Sequence, residues 1–417
     1  MIMGILLNII IIIGHFLSIF WLITLFNTRS EYNIPDEYPG VTVIIPAYNE
    51  EEAVQRTIES CLDIEYPGPL TIIAVNDAST DDTLSMIQAY EDDIQIIDKQ
   101  VNEGKAKALN TALAEVKTPY FTVIDADSTV EKDSLKKAMK YFYTEKGEVG
   151  AVISKLKPDR EPTNIVERVQ LVEYMFAGLI RYLSAGLRLL HITPGVLSIY
   201  KTSIVKGLKG FDSNNVTEDF EMAVRLRRND YLINYAPDSK VYTKVPDTFN
   251  QFLGQRLRWG RGFFRTIFTH NKIIFNKEKG LFGIYEFPMN IASPILFFIA
   301  AFILAYNIVR GLYEFFFKLI FTPDVIEWFT ISSIEEMVLS FNTFINAPLT
   351  LSLVFVGIFL FFVFRFYDYD YFAQNTFKKI GALIVYIFIF NYIFVYVFSK
   401  ALYDEVTGIG YTWETKT

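Results

Sequence analysis

Charged side chains are absent from four long stretches of this 417-residue chain, and that absence constrains the fold more than any other feature. The first 28 residues contain no Lys, Arg, Asp or Glu, and residues 287–309, 337–364 and 380–399 are also uncharged. Crossing the ~30 Å hydrocarbon core of a bilayer takes about 20 predominantly apolar residues. The sequence therefore predicts about four membrane spans, one of which could instead be re-entrant.

Basic residues next to these stretches predict how the chain is oriented. Arg29 directly follows the first stretch, and residues 256–279 carry seven Lys or Arg side chains against one acid, Glu278. Lys and Arg concentrate on the cytoplasmic side of membrane proteins. We expect a multi-pass protein of the cell membrane whose central region is cytosolic. A cleaved signal peptide is the alternative for residues 1–28, but it would have a basic start and a short apolar core.

Composition excludes several classes of function. The net charge is −8 and 51% of the residues are hydrophobic, which excludes a disordered chain and argues against a nucleic-acid partner. The single cysteine, Cys61, and only three histidines argue against a disulfide framework and against a Cys- or His-rich metal site.

Alternating strands and helices are predicted for the central region. Apolar, β-branched runs at residues 41–45, 70–75, 94–97 and 120–124 alternate with helical spacing at 50–61, 82–90 and 105–116. This alternation predicts an α/β domain with a mixed, mostly parallel sheet, in which ligands bind beyond the carboxyl ends of the strands. The patterns GxxxxGK[ST] and GxGxxG are absent from the sequence, which argues against a P-loop enzyme and a dinucleotide-dependent dehydrogenase.

Unusual polar residues follow the first, second and fourth of these strands, and those after the first are PAYNE (46–50). Asp125 and Asp127 come after the fourth strand, and side chains two apart in an extended segment point the same way. Carboxylates in this arrangement suit Mg²⁺ or Mn²⁺ bound together with substrate phosphates, although a pair of capping aspartates is the alternative. Asp77 follows the second strand, where it would accept hydrogen bonds from a base or ribose, or form an Asx turn.

Further candidate site residues lie at the first turns of two predicted helices. Lys105 follows Gly104, so a helix N-terminus and an ammonium group would meet an anionic phosphate there, unless the lysine only begins a solvated helix. Asp219, after Glu218, starts a later helix, either as part of an acidic first turn or as a general base.

One helix face carries a group of three polar and aromatic side chains. Gln255, Arg258 and Trp259 are spaced i, i+3 and i+4. The arginine suits a diphosphate and the tryptophan suits a sugar ring, although an interfacial tryptophan anchor is the alternative.

Five motifs in order resemble those of membrane-integrated, processive family 2 glycosyltransferases, the group that includes cellulose, hyaluronan, chitin-oligosaccharide and poly-N-acetylglucosamine synthases. The motifs are PAYNEE (46–51), VND with STD (75–81), DAD (125–127), TED (217–219) and QRLRW (255–259). The resemblance implies a GT-A fold in the central region and a UDP-sugar donor.

The resemblance also implies a role for each motif. Donor-binding residues would be Pro46, Ala47, Asn49, Glu50, Asp77 (on the uracil), Lys105 and Asp125. Asp127, with Asp125, would hold Mn²⁺ or Mg²⁺ on the diphosphate. Asp219 would be the catalytic base beside Glu218. Acceptor and diphosphate contacts would come from Gln255, Arg258, Trp259, Pro194 and Gly195.

The domain layout and activity follow from the spans and the resemblance together. We expect an anchor (1–28), a cytosolic GT-A domain (38–250), interfacial amphipathic helices (251–285), a transmembrane region (286–403) and a tail (404–417). The expected activity is polymerisation of a UDP-sugar, with UDP-N-acetylglucosamine favoured, into an extracellular polysaccharide that the protein helps to secrete. Expected partners are the growing polysaccharide, membrane lipids and accessory secretion subunits. The alternatives are transfer of one sugar to a polyprenyl-phosphate lipid and a non-catalytic scaffold.

Overall fold

The structure is a computed structural model of the chain. It describes residues 32–144, 147–321 and 376–409, together with residues 12, 13, 16, 19–24, 357, 358 and 360.

Four parallel strands form the half of the sheet that the sequence predicts most directly. They are β1 (Val41–Ala47), β2 (Leu70–Asp77), β3 (Gln95–Lys99) and β4 (Tyr120–Val123). They lie side by side in the order β3-β2-β1-β4. All seven residues of β1 are buried. A parallel strand that is covered on both faces is apolar along its whole length, which is why the sequence predicts this half of the sheet.

Short helices connect these strands, as predicted. They are α1 (Val54–Leu62), α2 (Thr83–Gln88) and α3 (Lys105–Glu115). Helix α1 begins four residues later than the predicted start, because residues 51–53 form a turn in which the Ala53 N–H donates to the Glu50 carbonyl at 3.0 Å. The polar loop after β1 therefore stays free to line a site.

The second half of the sheet contains antiparallel pairings. It consists of β5 (Ser128–Val130), β6 (Val149–Pro158), β7 (Ser198–Lys201) and β8 (Leu232–Thr243). The eight-stranded order is β3-β2-β1-β4-β7-β6-β8-β5, with β7 antiparallel to both neighbours. Four of the seven pairings in the described residues are parallel, so the predicted mixed, mostly parallel α/β sheet is confirmed.

Apolar cores cover both faces of the sheet. Alternate residues of a strand point to opposite faces. Ile45 accordingly packs on one face with Ile58 of α1, and Ile44 packs on the other with Leu109 of α3 and Phe121 of β4. This double cover holds the carboxyl ends of β1, β2 and β4 in fixed positions along one edge.

Five helices complete the part of the molecule that carries the predicted site residues. They are α4 (Ser134–Met139), α5 (Ile165–Gly186), α6 (Thr202–Gly207), α7 (Glu218–Arg228) and α8 (Phe249–Thr269). A capping box of Asn164 and Glu167 fixes the start of α5. Helix α7 has acidic residues in its first turn and arginines in its last, which complements the helix dipole.

The C-terminal region consists of long helices after three short turns. The turns are Asn271–Ile273, Lys277–Lys279 and a π-helical turn, Phe282–Glu286; the helices are α9 (Phe287–Phe321), α10 (Thr376–Phe388) and α11 (Phe390–Val406). The predicted interfacial segment 251–285 corresponds to α8 and these turns.

The predicted membrane spans map only partly onto described residues. Stretch 287–309 lies within α9, and stretch 380–399 extends across α10 and α11. Most of 1–28 and of 337–364 lies outside the described residues. In the portion of the chain that the structure describes, no helix combines the length and the apolar character needed to cross a membrane. The spans and the domain boundaries drawn from them stay predictions.

Candidate active site

One cavity of about 1400 Å³ lies beyond the carboxyl ends of β1, β2 and β4 and continues between α5, α7, α8 and α11. Every site residue predicted from the sequence lines it. These residues are Pro46, Ala47, Asn49, Glu50, Asp77, Lys105, Asp125, Asp127, Pro194, Gly195, Glu218, Asp219, Gln255, Arg258 and Trp259. The fold thus brings five sequence motifs together, while the role of each residue stays a prediction.

A lysine surrounded by carboxylates lies at the centre of the cavity. The Lys105 Nζ atom is 2.5 Å from Asp125 Oδ1 and 3.4 Å from Glu218 Oε1. Burial disfavours the charged ammonium, but the carboxylates of Asp125, Glu218 and Asp219 outweigh it and raise the pKa of Lys105. Lys105 is therefore a permanent cation at the start of α3, where an anionic ligand would also meet the helix N-terminus.

The carboxyl group of Asp219 has a raised pKa. Burial raises its pKa to about 6, and the nearby carboxylate of Glu218 adds to the rise. Lys105, the Phe220 N–H donated at 2.7 Å and Arg258 act in the opposite direction. A carboxyl group with a pKa near the working pH is well suited to accept and release a proton.

The loop before β7 packs directly against this carboxylate cluster. The Thr193 hydroxyl donates to the Asp219 carbonyl oxygen at 2.6 Å. At Gly195, an added Cβ would lie 2.8 Å from Lys105 Nζ and 3.4 Å from Asp219 Oδ2. Only a residue without a side chain leaves this space open, which explains the glycine that the sequence analysis placed on the acceptor side.

The residues after β4 fit a metal that is shared with a substrate. The Ser128 hydroxyl donates to Asp127 Oδ1 at 3.1 Å, and both Asp125 and Asp127 line the cavity. Within the described ranges, no group of three or more His, Cys, Asp or Glu side chains could enclose a metal ion. Mg²⁺ and similar cations are commonly held by one or two carboxylates plus substrate phosphates. The donor set fits that arrangement, with Asp127 and Asp125 as the protein ligands.

The carboxylate of Asp77 is bound by neighbouring groups of the protein. Its Oδ2 atom accepts the Gly104 N–H at 2.8 Å, and its Oδ1 atom forms an ion pair with Lys99. Asp77 thereby fixes the loop that leads to Lys105. A carboxylate has about four acceptor positions, so the predicted contact with a base remains compatible with these bonds.

The loop after β1 is fixed in a similar way. Asn49 has a positive φ of 53°, and its Oδ1 atom accepts the Thr80 N–H at 2.9 Å. The Glu50 N–H donates to the Thr83 hydroxyl at 2.8 Å. These bonds tie the first two motifs together at one end of the cavity.

The cavity also contains residues that sequence reasoning missed. Glu173, Tyr174 and Arg181 of α5 line it, as does Arg256 between the motif positions on α8. Arg256 stands inside the QRLRW motif and could have been noted there. No local sequence pattern marks the three α5 residues as site residues, because their neighbours in the cavity are distant in sequence.

Close packing positions α8 against the start of α7. A Cβ added at Gly262 would lie 1.9 Å from Thr217 Oγ1 and 2.7 Å from Thr217 Cβ, so a side-chain rotation cannot remove the clash. On its other side, α8 approaches α11, where a Cβ at Gly260 would be 2.9 Å from Ala401 Cβ. Gly262 therefore allows the helix with the QRLRW motif to touch the start of the helix with Asp219, and Gly260 allows it to touch α11.

Gly262→Ala is expected to separate these two helices and to destabilise the protein by about 1–3 kcal/mol, as overpacking does in closely packed interiors. Thermal unfolding and transfer activity would measure the effect. Gly254→Ala, on the same helix, is the matched control, because a Cβ there meets nothing within 4 Å. Equal melting temperatures for the two variants would contradict this account.

Comparison with known proteins finds a family model and several relatives that match part of the chain. Residues 42–208 match the model of the family described as glycosyl transferase family 2. The matched residues make up less than half of the chain. Two poly-β-1,6-N-acetyl-D-glucosamine synthases of Staphylococcus epidermidis are 29% and 30% identical to the chain over 264 and 261 residues. The matched region covers 59% of this chain and 63% of each relative, so it spans less than two thirds of their length.

A solved structure shares the fold of this chain. The mannosyltransferase PcManGT from Pyrobaculum calidifontis, in complex with GDP-Man and Mn²⁺, superposes with a TM-score of 0.60 at 18% identity. The match covers 93% of this chain and 99% of that protein. The predicted GT-A-like fold and the resemblance to family 2 enzymes of the poly-N-acetylglucosamine synthase type are confirmed at this level.

Proposed function

We propose that the protein is a metal-dependent, inverting glycosyltransferase that transfers N-acetylglucosamine from UDP-N-acetylglucosamine. One observation carries the proposal: the half-buried carboxylate of Asp219 faces the same cavity as the Asp125–Asp127 pair, Lys105 and the QRLRW face. The choice of sugar is supported by the names of the relatives that match the chain.

In the proposed reaction, one group of residues binds the diphosphate of the donor and another residue accepts the proton. Lys105 and Arg258 bind and neutralise the diphosphate of the donor, and Arg258 lies close enough to Asp219 to lower its pKa. A divalent ion bound at Asp127 and Asp125 would supply further stabilisation of the charge that develops on the leaving diphosphate.

Proton transfer falls to Asp219. As the acceptor hydroxyl oxygen forms its bond to the anomeric carbon, the bond from that carbon to the UDP oxygen breaks and UDP leaves with the electron pair. Asp219 takes the proton of the attacking hydroxyl. A single base on the face opposite the leaving group produces inversion, as in the corresponding class of sugar hydrolases.

Polymerisation and secretion form the wider part of the proposal. We infer a multi-pass protein of the cell membrane that elongates a polysaccharide and passes it outward, with membrane lipids and accessory secretion subunits as partners. Outward-facing apolar side chains on α9 support a lipid environment, since Ile295, Phe302 and Val309 are 56%, 68% and 66% exposed. Exposed apolar surface on this scale marks a contact with a membrane or a partner.

Transfer of one sugar to a polyprenyl-phosphate lipid is a second candidate, and one feature favours it. An apolar groove of about 560 Å³ between α9 and α11 is lined by residues such as Ile291, Phe298 and Leu402. Phe398 lines both this groove and the candidate active site. A lipid chain in the groove would place its phosphate end near the cavity.

Product size distinguishes the two candidates. The full chain, reconstituted in lipid with Mn²⁺, would be given radiolabelled UDP-sugars one at a time. We expect a high-molecular-weight product from UDP-N-acetylglucosamine. One labelled sugar on lipid would favour the second candidate, and no UDP release from any donor would favour a non-catalytic scaffold.

The pH dependence of kcat/KM is expected to show an acidic limb near pH 6. Because the pKa of Asp219 is raised to about 6, its carboxyl is protonated below that pH and cannot accept a proton. The rate should therefore rise with pH and level off above about 7, and kcat/KM reports the groups of the free enzyme. Initial rates between pH 4 and 8 would test this. A limb near pH 4, the ordinary range of an aspartate, would contradict it.

A further inference from the structure

A buried arginine stands between two aromatic rings at the acceptor side of the cavity. The guanidinium carbon of Arg256 lies 4.1 Å from the ring centroid of Trp259 and 4.8 Å from that of Phe252. Its Nη2 atom donates to Glu173 Oε2 at 2.5 Å. The buried Nε and Nη1 atoms have no hydrogen-bond partner among the described residues. One carboxylate and two ring faces therefore hold this cation.

This arrangement fixes the orientation of Trp259. Residues three apart on a helix are neighbours, so Arg256 covers one face of the indole from within α8. Trp259 is nevertheless 36% exposed and lines the cavity. The indole surface that the arginine leaves uncovered is thereby directed at the space where an acceptor would bind.

Glu173 holds the arginine from a different helix. It lies on α5, on the wall of the cavity, while Arg256 is 7% exposed. A buried guanidinium that loses its counterion is strongly destabilised and moves or draws in water. Glu173 therefore fixes the position of the Arg256 guanidinium, and Arg256 in turn fixes the orientation of the Trp259 ring.

From this geometry, we infer that Glu173 and Arg256 are positioning residues for acceptor binding, and that they act by orienting Trp259 against the sugar ring of the acceptor. The inference rests on the proposed function for the identity of the acceptor. The orientation of Trp259 itself does not depend on that function.

Glu173→Gln tests the inference in two activity assays on the full chain. With an added N-acetylglucosamine oligosaccharide, we expect the acceptor KM to rise about tenfold. Release of UDP from UDP-N-acetylglucosamine without acceptor should stay within about twofold, because the donor residues are unchanged. Trp259→Ala should raise the acceptor KM at least as much. The combined variant should be no worse than Trp259→Ala alone, because the two residues act through one contact; additive effects would overturn the inference.

Glu405→Gln is the matched control. It removes the carboxylate beside Arg261, which lies on the same helix, is 6% exposed and does not line the cavity. We expect it to lower thermal stability and leave the acceptor KM unchanged. If it raised the acceptor KM as much as Glu173→Gln, the effect would be general loosening of α8 and the inference would be wrong.

Tryptophan fluorescence tests the orientation without any sugar. The contribution of Trp259 is the difference between each protein and the same protein carrying Trp259→Phe. Acrylamide should quench this contribution more strongly in Glu173→Gln than in the parent chain. Stronger quenching together with no transfer from any UDP-sugar would support the positioning role and reject the proposed function. Unchanged quenching would reject the positioning role even in an active enzyme.

Discussion

Asp219→Asn is expected to lower kcat for sugar transfer by about 10²–10⁴-fold, the range that a positioned general base contributes. The amide has nearly the same shape as the carboxyl group and its oxygen can still accept the Phe220 N–H, so the start of α7 should keep its conformation. Steady-state rates of UDP release with acceptor, together with thermal unfolding, would measure both effects.

Asp230→Asn provides the control for that substitution. Asp230 lies just beyond the other end of α7, pairs with Lys279 at 2.7 Å and does not line the cavity. The same chemical change there should leave kcat unaltered. An Asp219→Asn enzyme that kept more than a tenth of its activity would show that another group accepts the proton.

Asp127→Asn is expected to reduce transfer by at least about 100-fold and to remove the stimulation by added Mn²⁺. A bound ion contributes several kcal/mol of charge stabilisation, and about 1.4 kcal/mol corresponds to a factor of ten. Initial rates over a range of Mn²⁺ concentrations at fixed UDP-N-acetylglucosamine would measure the change.

The control for the metal separates ligand loss from misfolding. Asp133→Asn changes an aspartate shortly after β5 that pairs with Lys137 outside the cavity, and it should keep the Mn²⁺ response of the parent chain. An unchanged Mn²⁺ response in Asp127→Asn would remove this residue from the metal site.

The sequence predicted the parallel half of the sheet and missed the rest for a physical reason. Strand β1 is buried throughout and reads as an unbroken apolar run. Strand β8 contains Pro237, Asp238 and Lys240, and its register with β6 shifts between Ser154 and Lys155. Such a strand is specified by its neighbours and has no clear periodicity of its own.

Only part of the candidate site was predictable from the sequence. Asp125, Asp127 and Asp219 stand directly at strand and helix ends, where topology alone brings residues to one edge. Glu173 lies in the middle of a long helix, 83 residues before Arg256. Its proposed role follows only from the contact between α5 and α8 at Arg256, which no local sequence pattern encodes.

The ion pair between Lys105 and Asp125 links two binding events. A metal ion and the ammonium group compete for the same carboxylate, while an incoming diphosphate offers the lysine another anion. Under the proposed function, nucleotide and metal would therefore favour each other's binding, and such a thermodynamic coupling is reciprocal. Without nucleotide, Lys105 neutralises the carboxylate of Asp125, which lowers the affinity of that carboxylate for cations in solution. Departure of UDP after each turnover would restore the internal pair and release the ion.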